Sequence, residues 1–210
     1  MNNKLEDYIL AHTEAESELL AELNRETEHK ILLSRMLSGH LQGKVLEMIS
    51  KMIKPSYILE IGTYTGYSAL CLALGLSEEG VLHTIEINDE LENFTKSFFE
   101  KSVIGHKIKF YIGDACTIIP QLPDNIDLVF IDGDKRQYID YYKLVIEKTQ
   151  SGGFILADNV LWSGKVVDTN SKPDEYTEGI LAFNDFVHQD NRVENVILPI
   201  RDGIMLLRKK

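Results

Sequence analysis

The sequence predicts an α/β fold, in which helices cover both faces of a doubly wound, mostly parallel β-sheet. After Pro55, short apolar runs alternate with longer amphipathic stretches. Each run is almost entirely apolar, as expected of strands that are buried on both faces. Strands and helices in turn are typical of parallel sheets with helical connections. The predicted strands are 57–61, 81–85, 108–112, 126–131 and 154–157.

Residues 1–54 are predicted to be helical and to precede this sheet. Thr13 and Glu16 have the spacing of a capping box, and leucines at helical intervals follow them. Residues 40–43 are expected to interrupt the helical region before a second apolar face. Pro55 is expected to end it, because proline cannot continue a helix.

Helices are also predicted between the strands, at 88–103 and 137–149. The carboxyl-terminal segment 195–208 is predicted to form an antiparallel hairpin around Asp202 and Gly203. A chain of 210 residues is long enough to bury a sizeable core. We therefore expect a single domain over 1–210, with 1–54 as a helical lead-in and 55–210 as the α/β core.

Composition restricts the partners and the compartment. The 22 basic and 33 acidic residues give a formal charge of −11, and no basic stripe is visible, so nucleic acid is not expected as a partner. The sequence contains no run of 18 apolar residues, so a membrane-spanning helix is not expected. The polar, acidic start is unlike a signal peptide, and Cys71 and Cys116 form no CxxC pair. A cytoplasmic location is expected.

Ligands of such sheets bind beyond the carboxyl ends of the strands, so the residues there are informative. The first strand is followed by Gly62 and Gly66, whose spacing differs from the GxGxxG of a dinucleotide site. Glycines at this turn let a ligand approach the backbone closely. Glu60, just before the turn, would repel a pyrophosphate and attract an ammonium group. The alternative is a tight turn capped by Ser68.

The second and third strands end in residues that suit a nucleoside. Glu86, 24 residues after Gly62, can accept hydrogen bonds from a ribose diol. Asp114 and Ala115 follow the third strand, where a small residue beside an acid suits the edge of an adenine ring. Taken alone, Glu86 would be interpreted as a solvated surface side chain and 113–115 as a plain turn. Three such strand ends in succession favour the nucleoside site.

Oxygen-bearing side chains follow the fourth and fifth strands. Asp132 ends the fourth strand, and Asp158 and Asn159 end the fifth. Adjacent strands would bring all three to one edge, and oxygen donors without Cys or His suit Mg²⁺, Mn²⁺ or Ca²⁺. Buried carboxylates are costly without a cation. The alternative is that the two aspartates are helix caps.

Four motifs together resemble those of the cation-dependent O-methyltransferases that use S-adenosylmethionine (SAM), the family of the catechol and caffeoyl-CoA enzymes. They are EIGTYTGYS at 60–68, FIDGDK at 130–135, DNVLWSG at 158–164 and LPIRDGI at 198–204. The likeness runs from about Met36 to the carboxyl end. It implies the Rossmann-like sheet of class I methyltransferases, a homodimer, a small phenolic acceptor, and SAM with Mg²⁺ (or Ca²⁺ or Mn²⁺) as cofactors. It also implies that the lead-in 1–54 covers the cofactor.

The resemblance also implies roles for individual residues. Asp132, Asp158 and Asn159 would hold the metal. Lys135 matches the family's candidate base, although it could instead be a surface lysine paired with Asp134. The acceptor would contact Lys135, Asn159 and Trp162. The residues that would bind SAM are Met36, Ser38, Glu60, Gly62, Thr63, Tyr64, Ser68, Glu86, Asp114, Ala115 and Asp132.

Two departures from the animal catechol enzymes favour the plant and bacterial branch. Met205 stands where those enzymes have a glutamate that binds a catechol hydroxyl, and 133–135 reads GDK instead of HWK. The expected reaction is metal-dependent methyl transfer from SAM to one hydroxyl of a vicinal diphenol.

Three other functions remain open at this point. They are methylation of RNA or protein, NAD-dependent oxidoreduction and non-catalytic nucleoside binding. The acidic charge argues against the first, the missing GxGxxG against the second, and the metal-ligand set with Lys135 against the third.

Overall fold

The computed structural model describes residues 3–170 and 172–210, and its centre is a seven-stranded sheet. The order of strands across the sheet is β3-β2-β1-β4-β5-β7-β6. The first five run parallel, whereas β7 is antiparallel to both β5 and β6. The strands are β1 (Tyr57–Ile61), β2 (Val81–Glu86), β3 (Ile108–Ile112), β4 (Ile126–Ile131), β5 (Thr149–Ala157), β6 (Val193–Leu198) and β7 (Ile204–Lys209).

Helices flank the sheet and precede it. The α-helices are α1 (Asn3–Ala11), α2 (Glu18–Lys30), α3 (Gly39–Ile53), α4 (Tyr67–Ala73), α5 (Glu92–Lys101), α6 (Ala115–Ile118), α7 (Tyr138–Lys148) and α8 (Glu175–His188). Short 3₁₀ turns join several of them, including Ser34–Met36, Lys135–Gln137 and Trp162–Val167. None of the helices within the described ranges is both long and apolar enough to cross a membrane.

The predicted fold class is confirmed, because helices pack on both faces of a mostly parallel sheet that ends in an antiparallel pair. Successive strand residues alternate between the two cores. Leu59 and Ile61 pack on one side with α6, α7 and α8, whereas Ile58 packs on the other with α2 to α5. This alternation explains why the strand runs are apolar throughout. β5 begins at Thr149 instead of Phe154, because its first residues are polar or glycine and leave no apolar signal.

Two predictions for the amino-terminal region are wrong. Helix α2 begins after Ser17, whose hydroxyl accepts the Leu20 N–H, and the predicted capping box at Thr13 does not start a helix. Helix α3 runs through residues 40–43 without interruption. Its glycine there, Gly43, is tolerated because it permits close packing: an added Cβ would lie 2.5 Å from the Tyr67 ring.

Helix α8 was not among the predicted elements, although the sequence contains its signals. Asp174 is the N-cap and accepts the Thr177 N–H at 2.8 Å. Ile180, Phe183 and Val187 recur at helical intervals and are fully buried. Through these side chains α8 packs beside α7 in the core on one face of the sheet.

The turn after β1 is fitted to the neighbouring strand β4. Gly62 has φ +95°, and an added Cβ would lie 2.2 Å from the Asp132 carbonyl oxygen. We expect Gly62→Ala to lower the free energy of unfolding by more than ~3 kcal/mol, because it combines a backbone clash with left-handed strain. Urea denaturation of purified protein measures this loss.

Gly164→Ala is the matched control. Gly164 has φ +78°, but nothing lies within 4 Å of its added Cβ. Strain alone should cost about 1–2 kcal/mol there. Equal losses in the two variants would show that the contact between the β1 turn and Asp132 is not tight.

Candidate active site

The backbone brings Asp132 and Asp158 to the same edge of the sheet. The Asp132 N–H donates to the Ile61 carbonyl at 2.8 Å, and the Asp158 N–H donates to the Ile131 carbonyl at 3.0 Å. Each bond continues the parallel pairing by one residue beyond the strands β1, β4 and β5. The predicted juxtaposition of these two aspartates is therefore present.

Lys135 is buried beside Asp132. Its Nζ donates to Asp132 Oδ1 at 2.7 Å and to the Tyr138 hydroxyl at 2.6 Å, and only 7% of the residue is exposed. The alternative of a surface lysine paired with Asp134 is wrong. Arg136 pairs with Asp134 instead, and its guanidinium lowers the pKa of that carboxyl.

Asp158 is almost fully enclosed, with 3% exposure. Its Oδ2 accepts the Gln42 amide at 2.5 Å, and its Oδ1 accepts the Asn159 N–H at 2.7 Å. Burial raises the pKa of Asp158 to about 7, and the nearby negative charge of Asp132 adds to the effect while Lys135 opposes it. Two carboxylates and one ammonium thus share this edge of the sheet, and their negative charge exceeds the positive.

This chemistry fits a hard divalent cation. The described residues contain no group of three or more His, Cys, Asp or Glu side chains that could hold a metal. The predicted set has only two carboxylates, Asp132 and Asp158, and its third member is the amide of Asn159. Carboxylate and amide oxygens with excess negative charge are the donors that Mg²⁺ and Ca²⁺ prefer.

The aromatic residue Trp162 follows Asn159 in the chain. Asn159 and Trp162 both have positive φ, at 58° and 45°. The carboxyl-terminal hairpin holds this segment, because Asp202 accepts the Leu161 N–H through its carbonyl oxygen and the Ser163 N–H through its carboxylate. The Trp162 ring stacks on a tyrosine of α8 at 6.3 Å, and its buried Nε1 has no hydrogen-bond partner in the described structure.

Glu60 lies near the carboxyl end of β1 and is fully buried. Its Oε2 accepts the Thr84 hydroxyl at 2.5 Å, and the Thr84 hydroxyl is in turn hydrogen-bonded to that of Thr63. Its Oε1 has no partner within the described part of the chain. Burial raises the pKa of Glu60 to about 8. An unpaired buried carboxylate oxygen fits a cationic group and disfavours a phosphate.

The turn at 62–66 binds Glu86 through its backbone. The Tyr64 N–H donates to Glu86 Oε2 at 2.7 Å, and the Asn88 N–H donates to Oε1 at 2.9 Å. Glu86 is 7% exposed, so it is not a solvated surface side chain. The capping-serine alternative is also wrong, because Gly66 occupies the N-cap of α4 without a side-chain bond and Ser68 is buried inside the helix.

The third strand end lies beside the second, because the Gly113 N–H donates to the Glu86 carbonyl at 2.8 Å. Asp114 caps α6 by accepting the Cys116 N–H at 2.9 Å, and Ala115 is buried. The turn given as the alternative for 113–115 therefore exists, and it lies at the same edge of the sheet as Glu86.

The amino-terminal segment reaches this edge as well. Met36 is exposed in a 3₁₀ turn, whereas Ser38 is buried just before α3. The Tyr64 hydroxyl donates to the Leu32 carbonyl at 3.1 Å, which ties the segment to the turn at 62–66. Met36 and Ser38 therefore belong to a segment anchored at the edge where the other predicted SAM-binding residues lie.

Sequence reasoning missed Gln42 and Tyr138. Gln42 lies in the stretch expected to interrupt a helix, and its partner Asp158 is 116 residues away. The Tyr138 hydroxyl lies 3.1 Å from the Asp158 carbonyl oxygen and also contacts Lys135. A polar side chain on an otherwise apolar helix face was the available signal for Gln42. Spacing of three residues from Lys135 was the signal for Tyr138.

Comparisons with known proteins agree with this architecture. A family model described as O-methyltransferase matches residues 10–210. A caffeoyl-CoA O-methyltransferase of Nicotiana tabacum is 35% identical over 205 residues, covering 92% of this chain and 85% of that protein. The O-methyltransferase from Bacillus cereus in complex with S-adenosylhomocysteine (SAH) has a TM-score of 0.91 and 25% identity, covering 99% of this chain and 97% of the other.

A second solved structure, the SAH-bound methyltransferase PaMTH1 of Podospora anserina, has a TM-score of 0.91 and 26% identity, covering 100% of this chain and 97% of the other. The resemblance inferred from the four motifs is thus confirmed, and so is the predicted enzyme class. The family model spans α2 and α3 as well as the sheet. This chain belongs to the O-methyltransferase family.

Proposed function

We propose that this enzyme transfers the methyl group of SAM to one hydroxyl of a vicinal diphenol, with the help of a bound divalent cation. The observation that supports it most directly is the cluster of Asp132, Lys135 and Asp158, in which two carboxylates and a buried amine meet at one strand edge. Asp132 and Asp158 are candidates to hold a cation that binds the two neighbouring oxygens of the acceptor. Lys135 is a candidate base for the proton of one of these oxygens.

The carboxyl ends of β1, β2 and β3 would bind SAM. Glu60 offers an unpaired buried oxygen to the ammonium group. Glu86 is fixed by two backbone amides, which leaves the remaining lone pairs of its oxygens for the ribose hydroxyls. Asp114 and Ala115 would border the adenine. The bound SAH in the Bacillus cereus and Podospora anserina structures supports this choice of ligand.

Asp132, Asp158 and Asn159 would hold the cation. When bound, SAM supplies an electrophilic methyl group, and the cation lowers the pKa of a coordinated phenol. The chain's own residues then orient the acceptor and remove a proton. Trp162 would lie along the acceptor ring, since its indole is half-buried and held by stacking.

In this proposal Lys135 takes the proton from the acceptor hydroxyl. Asp132 and Tyr138 fix the position of Nζ, so the amine does not have to find its geometry during turnover. In its neutral form Nζ has one lone pair, which would take the hydroxyl proton while the methyl group passes from the sulfur of SAM to the hydroxyl oxygen. The methyl–sulfur bond would break in this step, leaving SAH. Positioning of this kind supplies much of the rate gain in two-substrate transfers.

Glu60 should make stability depend on pH. Its pKa is raised from 4.5 to about 8, so the folded protein keeps a proton that the unfolded chain releases, and stability falls as the pH rises through that range. Glu60→Gln removes this loss. We expect the variant to resemble the unliganded wild type at pH 5 and to be more stable by roughly 2–5 kcal/mol at pH 9.

Urea denaturation at several pH values measures this difference, with the exposed Glu79→Gln as the control. Calorimetry should also show SAH binding to Glu60→Gln weakened by about tenfold or more, because the ammonium loses a charged partner. Parallel pH curves for the wild type and Glu60→Gln would contradict the assignment of a buried, proton-binding carboxyl.

The cation requirement is tested by chelation. EDTA should abolish methyl transfer from SAM to catechols, and Mg²⁺ should restore it. Asp158→Ala should lose at least about a hundredfold in turnover. Loss of a residue that only supports a metal ligand already lowers activity by about 10- to 100-fold, and loss of a direct ligand should lower it no less. The variant should still bind SAH, whose proposed site lies over β1 to β3. Asp127→Ala, at the opposite edge of the sheet, is the control. Full activity after exhaustive chelation would overturn the proposal.

Lys135→Met should lower turnover with ordinary catechols by ~10²–10⁴-fold, the usual range for a positioned acid–base group. Lys135→Arg should not restore it, because a guanidinium stays protonated. The defect should shrink with nitrocatechols, whose hydroxyls are already acidic. The exposed Lys96→Met should behave as wild type. An equal loss on both kinds of acceptor would assign Lys135 to electrostatics instead of proton transfer.

A further inference from the structure

Gln42 is a buried polar residue on α3 that reaches the proposed metal ligands. It is 1% exposed, and its Nε2 donates to Asp158 Oδ2 at 2.5 Å. Helix α3 lies in the amino-terminal region, whereas Asp158 follows β5, so the contact joins segments 116 residues apart.

The type of residue at position 42 requires an explanation. Leu46, one turn further along α3, is fully buried in the core, and Ser38, one turn earlier, is buried too. An apolar side chain on this face would add burial without having to satisfy an amide. A glutamine here is consistent only with a partner that uses its donor, and Asp158 is that partner.

Each of the two carboxylate oxygens of Asp158 accepts a hydrogen bond. Gln42 donates to Oδ2, and the backbone N–H of Asn159 donates to Oδ1. Together the two donors fix the rotation of the carboxylate about its last side-chain bond. The backbone donor alone leaves Oδ2 without this constraint.

Gln42 itself sits on a rigid support. The next residue, Gly43, is packed so closely that an added Cβ would lie 2.5 Å from the Tyr67 ring and 2.8 Å from Cys71 Sγ. This packing holds α3 against α4 beside Gln42, so the position of the Gln42 amide is set before any ligand arrives.

We propose that Gln42 is a positioning residue that orients Asp158 for cation binding. The proposal rests on the proposed function, because it assumes that Asp158 is a metal ligand. It assigns to the amino-terminal helices a part in the metal site, in addition to covering the cofactor. In this proposal Gln42 acts through its hydrogen bond to Asp158.

The test is a calorimetric titration of Mn²⁺ alone into the protein. Wild type should bind Mn²⁺, and Gln42→Leu, which keeps the bulk of the side chain and removes the donor, should bind it about 10- to 100-fold more weakly. SAH affinity should stay within about twofold of wild type. With catechol acceptors at saturating Mn²⁺, Gln42→Leu should regain most of its turnover.

Ser50→Ala is the matched control on the same helix. It removes a buried hydroxyl that contacts α4 and lies away from Asp158. It should lower the melting temperature and leave the Mn²⁺ affinity unchanged. A general loosening of α3 would weaken Mn²⁺ binding in both variants, and that result would overturn the positioning role.

The remaining outcomes separate the two proposals. If wild type binds no Mn²⁺, the metal-dependent function fails and the role of Gln42 fails with it. If wild type binds Mn²⁺ and Gln42→Leu binds it equally well, only the role of Gln42 is overturned. Gln42→Met is the second variant should Gln42→Leu not fold, and the same affinities decide the result.

Discussion

The site depends on the parallel pairing of β1, β4 and β5, which continues one residue past the strands. Asp132 donates its backbone N–H to Ile61, and Asp158 donates its own to Ile131. These bonds fix where each aspartate leaves the sheet. Apolar cores cover both faces of the three strands, so a shift of register would move whole sets of buried side chains. The spacing of the two carboxylates is therefore set by the hydrophobic core.

The carboxylates at this edge differ in how far the protein's own donors compensate them. Glu86 receives two backbone amides, and Asp132 receives the Lys135 amine. Glu60 keeps one buried oxygen unpaired, and burial raises its pKa. Asp158 has hydrogen bonds to both oxygens and still has a raised pKa, because it is buried and Asp132 lies near. Glu60 and Asp158 thus both have raised pKa values, Glu60 near the end of β1 and Asp158 just after β5.

The sequence was most informative where an apolar run has a single structural interpretation. Strands β1, β3 and β4 match their predicted bounds, and the carboxylates after them follow from parallel topology. The sequence was least informative where a long-range contact decides the local structure. Gly43 weakens a helix prediction, yet α3 continues through it. The Tyr67 ring packs where a side chain at position 43 would lie, so only glycine fits there. Gln42 has meaning only through Asp158, which local patterns cannot reveal.

Lys135 and Arg136 show how the fold distinguishes adjacent residues of the same charge. Spacing alone allows Lys135 to pair with either Asp132 or Asp134. Asp134 caps the 3₁₀ turn and binds Arg136 through its backbone N–H and its guanidinium, so it is engaged on the outside. A lysine amine has three donors, two of which Asp132 and Tyr138 satisfy inside, whereas a guanidinium would bring five donors into the same space. The residue type at each position thus matches the side of the turn that it faces, and this match keeps an amine beside Asp132.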